Sequence, residues 1–449
     1  MGQVKASEAS RSPGTPAEKK ISIVGTGYVG LSTGVGFARK GHTVICVDID
    51  EKKIEKINRG EPPIYEPGMA DGLKEAVAAG RLSATADLKT AIMDSDVTFI
   101  SVPTPQSEYG SADLSYIRKA AEDIGSALRG KDGYHVVVVK STVVPGTTED
   151  IVLPELEKGS GRKAGDGFGL CMNPEFLREG RALEDFLKPD RIVIGSMDSR
   201  AGDAVEGVYS GFGAPVLRTA IKTAEMIKYA SNALLATKIS FSNEIGNVCK
   251  ELGIDVYDVM KGVGMDARLS PSFLQAGSGF GGSCFPKDVA AIAAKARELG
   301  QETKILNAVL DVNKGQRQKL VGLLEKRADG LAGKKIAVLG LAFKPDSDDV
   351  REAPSIDIIG MLAERGARVS AYDPQAMHAM KSFHPGIEYC DKPADCLKAA
   401  DACLILTDWS EFKELSDKDF DAMNTKLIIE GRKVLNPESV KCFEGICWP

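Results

Sequence analysis

The sequence predicts an α/β protein in which two Rossmann-like, doubly wound parallel-sheet domains are joined by a long central helix within an all-helical middle domain. Three observations support this prediction. Strand, glycine turn, helix and strand follow one another over residues 20–48, and the same order returns over residues 335–373. Between them, residues 219–252 contain no proline and are rich in Ala, Ile, Leu and Lys, which is typical of a long helix.

Size and composition agree with a globular protein of several domains. At about 150 residues per domain, 449 residues correspond to roughly three domains. The 43% apolar and 27% charged residues exclude a disordered, collagenous or fibrous chain. The net charge of −6 gives no basic surplus for nucleic acid, and no apolar run approaches the roughly 18 residues of a membrane span.

The cysteines and histidines indicate a reducing cytoplasm and no metal site. Nine cysteines are irregularly spaced, none forms a CxxC pair, and only four histidines are present. Residues 1–19 lack the apolar core of a signal peptide and are predicted to be a disordered tail.

The first domain begins with a βαβ unit. Residues 20–24 and 43–47 are short apolar runs, and residues 28–39 between them have helical spacing. Further apolar runs alternate with helix-like stretches such as 114–128; these runs are 97–102, 136–139 and 192–194. This alternation predicts a parallel sheet that is covered on both faces. The predicted divisions of the chain are a tail at 1–19, a dinucleotide domain at 20–214, a central helical domain at 215–325 and a C-terminal domain at 326–449.

The central helix is expected to end at Gly253 and to serve as a domain connector or a dimer seam. The chain to about residue 325 is predicted to be mostly helical, apart from a glycine-rich stretch at 277–282. The βαβ pattern then returns at 335–340, 356–364 and 368–372. Because this second copy lacks the glycine fingerprint of the first, we expect it to have lost dinucleotide binding.

The fingerprint of the first copy is GTGYVG at residues 25–30. Gly25 permits a tight turn, Gly27 lets the backbone approach a pyrophosphate, and Gly30 lets the helix pack against the strand. Asp48, 18 residues beyond Gly30, would bind the ribose hydroxyls and repel a 2′-phosphate, which favours NAD over NADP, although Lys52 and Lys53 lie nearby. The alternative is a glycine-rich turn that binds another ligand.

A second constellation, GFGGSCFPKD, covers residues 279–288. Three glycines in four residues indicate backbone packed against a ligand or against itself. Cys284 lies close to Lys287 and Asp288, and a nearby ammonium makes a thiol more nucleophilic. The alternative, a small buried hydrophobic cysteine, has about equal weight on spacing alone.

Two further pairs are spaced four residues apart. Glu175 and Glu179 would share a face if helical, either as an acid/base pair or as acids at the start of a helix. Lys228 and Asn232 lie on the central helix, where a solvated helix face is the simpler interpretation.

Taken together, these segments resemble the UDP-glucose/GDP-mannose dehydrogenase family from about residue 20 to about residue 435. The order and spacing of the motifs carry the resemblance; they are GTGYVG (25–30), SVPTP (101–105), KSTVVPGTT (140–148), NPEFLREG (173–180), AEMIKYASNA (224–233), GFGGSCFPKD (279–288) and LGLAFKPDSDDVRE (339–352). The resemblance implies an NAD domain, a helical region with the dimer contact, and a C-terminal domain that holds the nucleoside diphosphate of a UDP-sugar.

The implied reaction oxidises the C6 alcohol of the sugar to a carboxylate with two NAD. Cys284 matches the nucleophile that forms a thiohemiacetal and then a thioester. Asp288 and Thr142 match residues that hold water, and Glu175 matches one with acid/base or water-mediated roles. Lys228 and Asn232 match groups that contact the reacting oxygen.

The resemblance also implies the binding residues. The cofactor is assigned to Gly25, Gly27, Tyr28, Val29, Gly30, Asp48, Lys53, Thr104, Thr142, Glu179, Lys287 and Arg351. The substrate is assigned to Glu175, Phe176, Leu177, Lys228, Asn232, Arg268, Phe273, Leu274, Gln275, Phe280, Gly281, Lys344 and Arg432. Arg268 matches an arginine that crosses the dimer interface.

Residues 268–288 are most similar to the UDP-glucose branch of the family. The same chemistry on GDP-mannose or a UDP-N-acetyl hexosamine stays open, as does a two-electron NAD-dependent dehydrogenase that releases one NADH per sugar. A nucleotide-sugar binding or sensing protein without catalysis is a third alternative. A homodimer is expected, and a higher assembly is left open.

Overall fold

The computed structural model describes residues 18–107 and 110–449. The predicted disordered tail, 1–19, therefore lies outside the described residues except for its last two positions. The described chain forms two compact units. The first takes the residues up to Thr104 together with Leu114–Met226, and the second takes Pro105–Asp113 together with Ile227–Pro449.

The first unit contains an eight-stranded sheet in the order β3-β2-β1-β4-β5-β6-β7-β8. Its strands are β1 (Lys20–Val24), β2 (Thr43–Val47), β3 (Leu82–Thr85), β4 (Val97–Ile100), β5 (His135–Val139), β6 (Phe168–Met172), β7 (Ile192–Ser196) and β8 (Val216–Thr219). Neighbouring strands are parallel except β6 and β7, which run antiparallel. The sequence expectation of a parallel sheet therefore fails at this one pair. Every residue of β4, β5 and β6 is buried, because helices cover both faces.

The helices of the first unit alternate with its strands. They are α1 (Tyr28–Arg39), α2 (Glu51–Asn58), α3 (Met69–Ala78), α4 (Leu88–Met93), α5 (Ser115–Leu128), a π turn (Thr148–Val152) that continues into α6 (Leu153–Ser160), α7 (Ala182–Leu187) and α8 (Ser199–Val208). The 32-residue helix α9 (Ile221–Leu252) starts in this unit and continues in the second.

The second unit contains a six-stranded parallel sheet in the order β11-β10-β9-β12-β13-β14. Its strands are β9 (Lys335–Leu339), β10 (Arg368–Tyr372), β11 (Glu388–Tyr389), β12 (Ala402–Ile405), β13 (Ile428–Glu430) and β14 (Glu444–Gly445). Its further helices are α10 (Val256–Gly264), α11 (Phe285–Glu298), α12 (Lys304–Ala328), α13 (Pro354–Glu364), α14 (Met377–Met380), α15 (Pro393–Leu397) and α16 (Ser410–Lys413). No helix among residues 18–107 and 110–449 combines the length and the apolar character that a membrane span requires.

The predicted elements match the structure closely where the pattern is periodic. β1, α1, β2 and β10 have their predicted ends, and α9 stops before Gly253, whose φ of 68° is typical of a glycine that terminates a helix. The helical prediction fails between residues 265 and 284, where the break is longer than the expected 277–282. Pro271 and the positive φ angles of Ser270 and Phe273 are incompatible with a helix there.

The predicted repeat is present in both sheets. β2-β1-β4-β5 and β10-β9-β12-β13 have the same order and direction. Gly25 and Gly340 follow the first strand of each copy with φ angles of 97° and 93°. Each donates its N–H at 2.8 Å to the last carbonyl of the next strand, that of Val47 or Tyr372.

Candidate active site

The loop between β1 and α1 in the first unit needs its glycines for packing. A Cβ on Gly30 would lie 1.9 Å from the carbonyl oxygen of Gly25, and one on Gly25 would lie 2.5 Å from that of Ser101. A Cβ on Gly27 would have no heavy atom of another residue within 4 Å. The space next to Gly27 is therefore open to a ligand that approaches the backbone.

The start of α1 differs from the starts of α2, α4 and α8. Gly27 is its N-cap, and no side chain among the described residues caps the helix. By contrast, α2, α4 and α8 begin with aspartates whose carboxylates accept backbone N–H groups. An uncapped helix N-terminus next to an open glycine is a binding site for phosphate.

Asp48 lies at the end of β2, beside this loop. Its Oδ2 accepts the N–H of Thr26 at 3.0 Å and the Thr26 hydroxyl, and its Oδ1 accepts the N–H of Asp50 at 3.1 Å. Burial raises the pKa of Asp48, but these hydrogen bonds and the charge of Lys53 together lower it by more, so the pKa lies below its ordinary value. Sequence reasoning found Asp48 but missed Thr26, because the middle of the fingerprint tolerates any residue.

Other predicted cofactor residues surround the same edge of the sheet. Thr104 and Thr142 follow the adjacent strands β4 and β5, and the Thr104 hydroxyl donates to the Thr142 carbonyl at 2.9 Å. Tyr28, Val29 and Lys53 are partly exposed at the starts of α1 and α2. The carboxyl ends of neighbouring parallel strands thus converge here, as in dinucleotide-binding sheets.

The segment 173–180 is extended and turn-like, not helical. The helical interpretations of Glu175 and Glu179 are therefore wrong, since Pro174 disfavours a helical Asn173 and the Glu175 carboxylate accepts the N–H of Leu177 at 2.5 Å. Glu175 is buried, and the adjacent Phe176 ring stacks on the guanidinium of Arg191 at 3.8 Å.

Two buried glutamates that the sequence analysis missed hold loops in the first unit. Glu66 accepts the N–H groups of Gly180 and Ala182 at 2.9 and 2.7 Å, next to Glu179. Glu225 accepts those of Gly146 and Thr148 at 2.6 and 2.9 Å, in the loop that carries Thr142. Burial raises the pKa of Glu225 despite these hydrogen bonds.

In the second unit, Cys284 is the N-cap of α11. It is partly exposed, whereas seven of the nine cysteines are buried, and this excludes the interpretation of Cys284 as a buried core residue. Asp288 lies one turn later, and its carboxylate accepts from Asn232 at 2.7 Å and from Lys287 at 2.6 Å. The start of α11 is thereby joined to α9.

Lys228 and Asn232 are 3% and 5% exposed, so they do not form a solvated helix face. Their four-residue spacing places them on one side of α9, and Asn232 shows that this side faces Asp288. The structure thus brings together Asn232, Lys287 and Asp288, with Cys284 one turn before Asp288 and Lys228 one turn before Asn232.

The glycine-rich loop that leads to Cys284 is held by buried amides. Asn243 of α9 accepts the N–H of Gly277 at 2.7 Å. Asn313 of α12 accepts the N–H of Phe280 at 2.7 Å and donates to its carbonyl at 3.0 Å. These amides escaped sequence reasoning because an amide in a long helix resembles any other polar position.

The predicted substrate residues lie around the same loop. Arg432 donates to the Gly279 carbonyl at 2.7 Å, and a Cβ on Gly281 would lie 2.3 Å from the Glu352 carbonyl oxygen. Gly282 donates its N–H to the carbonyl of Arg351 at 2.9 Å. The segment 340–353 is thus packed directly onto the glycine-rich loop.

Local strain concentrates in these loops. Six described residues other than glycine have positive φ, and four of them, Ser270, Phe273, Asp346 and Glu352, lie in the predicted substrate segments. Such strain is typical of functional sites. Leu274 and Phe280 are buried, and Lys344 lies with its Nζ 5.3 Å from the centre of the Phe343 ring.

The side chains of three predicted residues make other contacts or are exposed. Gln275 is exposed, and the Arg268 side chain is 87% exposed and pairs with Asp266. Arg351 forms a bidentate ion pair with Asp349, with hydrogen bonds of 2.7 to 3.0 Å. The structure describes these three as surface or loop-stabilising groups.

Two Rossmann-like sheets, one with an open dinucleotide loop, and a cysteine at a helix start one turn before a buried aspartate define a nucleotide-dependent dehydrogenase. The sequence comparison agrees. The NAD-binding, central and UDP-binding domains of the UDP-glucose/GDP-mannose dehydrogenase family match residues 19–213, 222–315 and 337–437. The chain belongs to this family, and its first domain binds NAD.

Its relatives share the whole length. The chain is 48% identical to UDP-glucose 6-dehydrogenase AglM of Haloferax volcanii over 95% of this chain and 100% of that protein. It is 46% identical to UDP-glucose 6-dehydrogenase TuaD of Bacillus subtilis, over 94% and 91%. A solved UDP-glucose dehydrogenase from Pyrobaculum islandicum superposes with a TM-score of 0.92 at 43% identity, covering 98% of this chain and 100% of that one.

Proposed function

We propose that this protein is a UDP-glucose 6-dehydrogenase that converts UDP-glucose, two NAD and water into UDP-glucuronate and two NADH. The observation that carries the proposal is the position of Cys284 at the N-terminus of α11, one turn before Asp288. The positive end of a helix favours a thiolate. An enzyme that stopped at the aldehyde would need no nucleophile, whereas oxidation to the acid does.

The first unit fits NAD by its own geometry. The open space at Gly27 and the uncapped start of α1 suit a pyrophosphate. The Asp48 carboxylate, whose pKa lies below its ordinary value, stays charged and would repel a 2′-phosphate. When bound, NAD takes up the two electrons and the hydrogen that leave the sugar carbon in each oxidation.

The buried pair on α9 is proposed to act on the reacting oxygen. The Lys228 ammonium stabilises the alkoxide as the alcohol is oxidised, and later the oxyanion of the thiohemiacetal. Asn232 donates one amide N–H to Asp288, and its second N–H can bind the same substrate oxygen.

The acid is formed through sulfur. The Cys284 thiolate adds to the aldehyde carbon and gives a thiohemiacetal, which loses a hydride to become a thioester. Water attacks the thioester carbon, the carbon–sulfur bond breaks, and the uronate leaves with the thiol restored. We assign the orientation of this water to Asp288 and Thr142, and an acid/base role to Glu175.

The UDP-sugar is proposed to bind the second unit, whose C-terminal part matches the UDP-binding domain of the family. Lys344 and Arg432 supply positive charge for the diphosphate or the sugar. Phe273, Leu274 and Phe280 surround the nucleotide. Arg268, being exposed, is proposed to serve a neighbouring copy of the chain.

A substrate panel tests the proposal. UDP-glucose, GDP-mannose and UDP-N-acetyl sugars are each supplied with NAD or NADP, and reduced cofactor is followed by its absorbance. We expect UDP-glucose with NAD to exceed every other combination by at least about tenfold in kcat/KM. A higher kcat/KM with another sugar nucleotide would contradict the assignment of UDP-glucose as the substrate. Binding of UDP-glucose in calorimetry without reduction of NAD would indicate a binding protein.

We also propose a homodimer through α9. Leu234, Phe241 and Val248 recur every seven residues and are 63%, 49% and 56% exposed, so they form an apolar stripe of the kind that a second copy covers. Phe241→Lys is expected to give monomers in light scattering, while Lys261→Glu, at an exposed position of α10, leaves the dimer intact. None of the nine cysteines, all of which lie among the described residues, forms a disulfide, and this further supports a reducing, cytoplasmic location.

A further inference from the structure

Glu430, the last residue of β13, has a fully buried side chain. Its Oε1 accepts the N–H groups of Val434 and Leu435 at 2.7 and 2.6 Å, and its Oε2 accepts the indole N–H of Trp448 at 3.3 Å. A buried carboxylate is tolerated only with such donors. Glu430 therefore determines how the chain turns directly after β13.

The turn held by Glu430, residues 431–435, touches the glycine-rich loop at two points. Ser278 donates its N–H to the Gly431 carbonyl at 2.8 Å, and Arg432 donates to the Gly279 carbonyl at 2.7 Å. A Cβ on Gly277 would lie 2.4 Å from the Gly431 carbonyl oxygen, so the two loops are in close contact. A shift of the turn would displace Arg432 and the glycine-rich loop together.

Trp448 connects Glu430 to the same loop from the other side. Its ring meets the Tyr257 ring edge-on, with centroids 5.3 Å apart, and the Tyr257 hydroxyl donates to the Ala276 carbonyl at 2.8 Å. Lys250 donates to the Trp448 carbonyl at 2.8 Å, which holds the tryptophan against α9. Neither Glu430 nor Trp448 belongs to a recognised motif of the sequence.

We propose that Glu430, through its hydrogen bonds to the 431–435 turn and to Trp448, is a positioning residue that sets Arg432 and the glycine-rich loop for binding of the nucleotide sugar. This inference rests on the proposed function, in which Arg432 contacts the sugar or the diphosphate. Glu430 itself does not touch the substrate.

The ionisation of Glu430 gives the proposal a specific signature. Burial raises its pKa to about 7, although hydrogen bonds from Leu435, Val434 and Trp448 and the charge of Lys433 lower it. Cys403 of β12 is a further ionisable neighbour, and its thiol stays protonated because burial raises its pKa. Protonated Glu430 can still accept the two backbone N–H groups through Oε1, but its Oε2–H faces the indole N–H.

Glu430→Gln reproduces this protonated state at every pH, because its amide nitrogen cannot accept from Trp448. Protonation of Glu430 is expected to have opposite effects on stability and on binding: it stabilises the fold but weakens binding of the nucleotide sugar. The folded pKa lies above the unfolded value of about 4.5, so the stability that Glu430 contributes is complete below pH 4.5 and is lost as the pH rises through 7. At pH 8 the glutamine variant should therefore be at least as stable as the parent, yet bind less well.

The experiment measures kcat and KM for UDP-glucose and NAD between pH 6 and 8.5, and the Kd of UDP by calorimetry. At pH 8 we expect Glu430→Gln and Trp448→Phe each to raise the KM of UDP-glucose and the Kd of UDP about five- to tenfold. The double variant should add no further rise, since both changes remove one hydrogen bond. We expect kcat and the KM of NAD to stay within about twofold, and Glu438→Gln, an exposed acid in the next turn, to match the parent.

The pH profile distinguishes positioning from simple stabilisation. The parent KM for UDP-glucose should rise below pH 7 and meet the value of Glu430→Gln, whose own KM stays flat. An unchanged KM and Kd in both single variants would overturn the proposal, as would multiplying effects in the double variant or an equal rise in the KM of NAD. If the parent binds UDP but does not oxidise UDP-glucose, the proposed function fails while the UDP measurements still decide the role of Glu430. If the parent does not bind UDP, both fail.

Discussion

The two Rossmann-like repeats have the same strand order, but the acid after their second strand differs in its exposure and in its hydrogen bonds. Asp48 and Asp373 occupy the same position, directly after β2 and β10. Asp48 is partly exposed beside the open loop at Gly27. Asp373 is fully buried, and its carboxylate accepts the N–H groups of Leu341, Ala342, Gln375 and Ala376 and of the Trp409 indole.

This difference explains why one repeat suits a dinucleotide and the other does not. In the second repeat, backbone N–H groups that could face a phosphate are bound by Asp373. Helix α13 begins only at Pro354, which has no N–H to offer. Under the proposed function, nucleotide binding there depends on side chains such as Lys344 and Arg432.

The largest expected effect is on turnover when Cys284 is replaced, while ligand binding by the two repeats should be unaffected. Cys284→Ala should lower uronate formation by at least about 1,000-fold, because no nucleophile remains to hold the aldehyde. The Kd values of NAD and UDP should stay within about twofold, since each repeat keeps its binding residues. Cys442→Ser, which changes an exposed cysteine, is the matched control. Uronate formed by the alanine variant at the parental rate would refute the assignment.

Exchanging the two acids for amides tests the comparison itself. Asp373→Asn should lower the free energy of unfolding by about 2–4 kcal/mol, because an amide nitrogen would face buried N–H donors. Asp48→Asn should leave stability within about 1 kcal/mol and raise the KM of NAD roughly tenfold. Urea denaturation and steady-state kinetics measure the two quantities. Equal effects of both variants on stability would show that the acids have the same role.

A smaller effect concerns the cores of the repeats. His135 is buried in the first repeat and hydrogen-bonds to Thr98, which bonds to Ser22. In the second repeat, Ala337 occupies the position of Ser22 and Cys403 occupies the position of Thr98, so both hydroxyls are missing there. Burial lowers the pKa of His135 to about 3, with Lys131 adding to the shift.

The first unit should therefore be the more sensitive to acid. The unfolded His135 takes up a proton near pH 6.5 and the folded one does not, so stability falls by up to about 1.4 kcal/mol per pH unit below pH 6.5. Both tryptophans, Trp409 and Trp448, lie in the second unit. Between pH 6 and 4, the urea midpoint by circular dichroism should fall more than the midpoint by tryptophan fluorescence. His135→Gln should reduce this difference, and a difference unchanged in the variant would contradict the account.

The sequence was sufficient for the fold where side-chain periodicity decides the structure. β1, α1 and β2 have their predicted ends because an apolar alternation, a helical stripe and a glycine turn follow one another. The antiparallel pairing of β6 with β7 could not be predicted, because the apolar pattern of a fully buried strand does not indicate whether it runs parallel or antiparallel to its neighbour.

The site shows the same division. Motif residues such as Gly27 and Cys284 could be proposed from the sequence because their chemistry requires their residue types. Glu66, Glu225 and Glu430 were missed because they act from distant segments, through hydrogen bonds to backbone N–H groups. Such a bond leaves no pattern in the loop that receives it, since every residue except proline has the same N–H group.

The most direct test of the account is the number of NADH molecules formed for each UDP-glucose consumed. With limiting UDP-glucose and excess NAD, absorbance gives the NADH and chromatography gives the remaining sugar nucleotide. A ratio of two, with UDP-glucuronate as product, is the result that a thioester on Cys284 requires. A ratio of one, with the aldehyde as product, would contradict it.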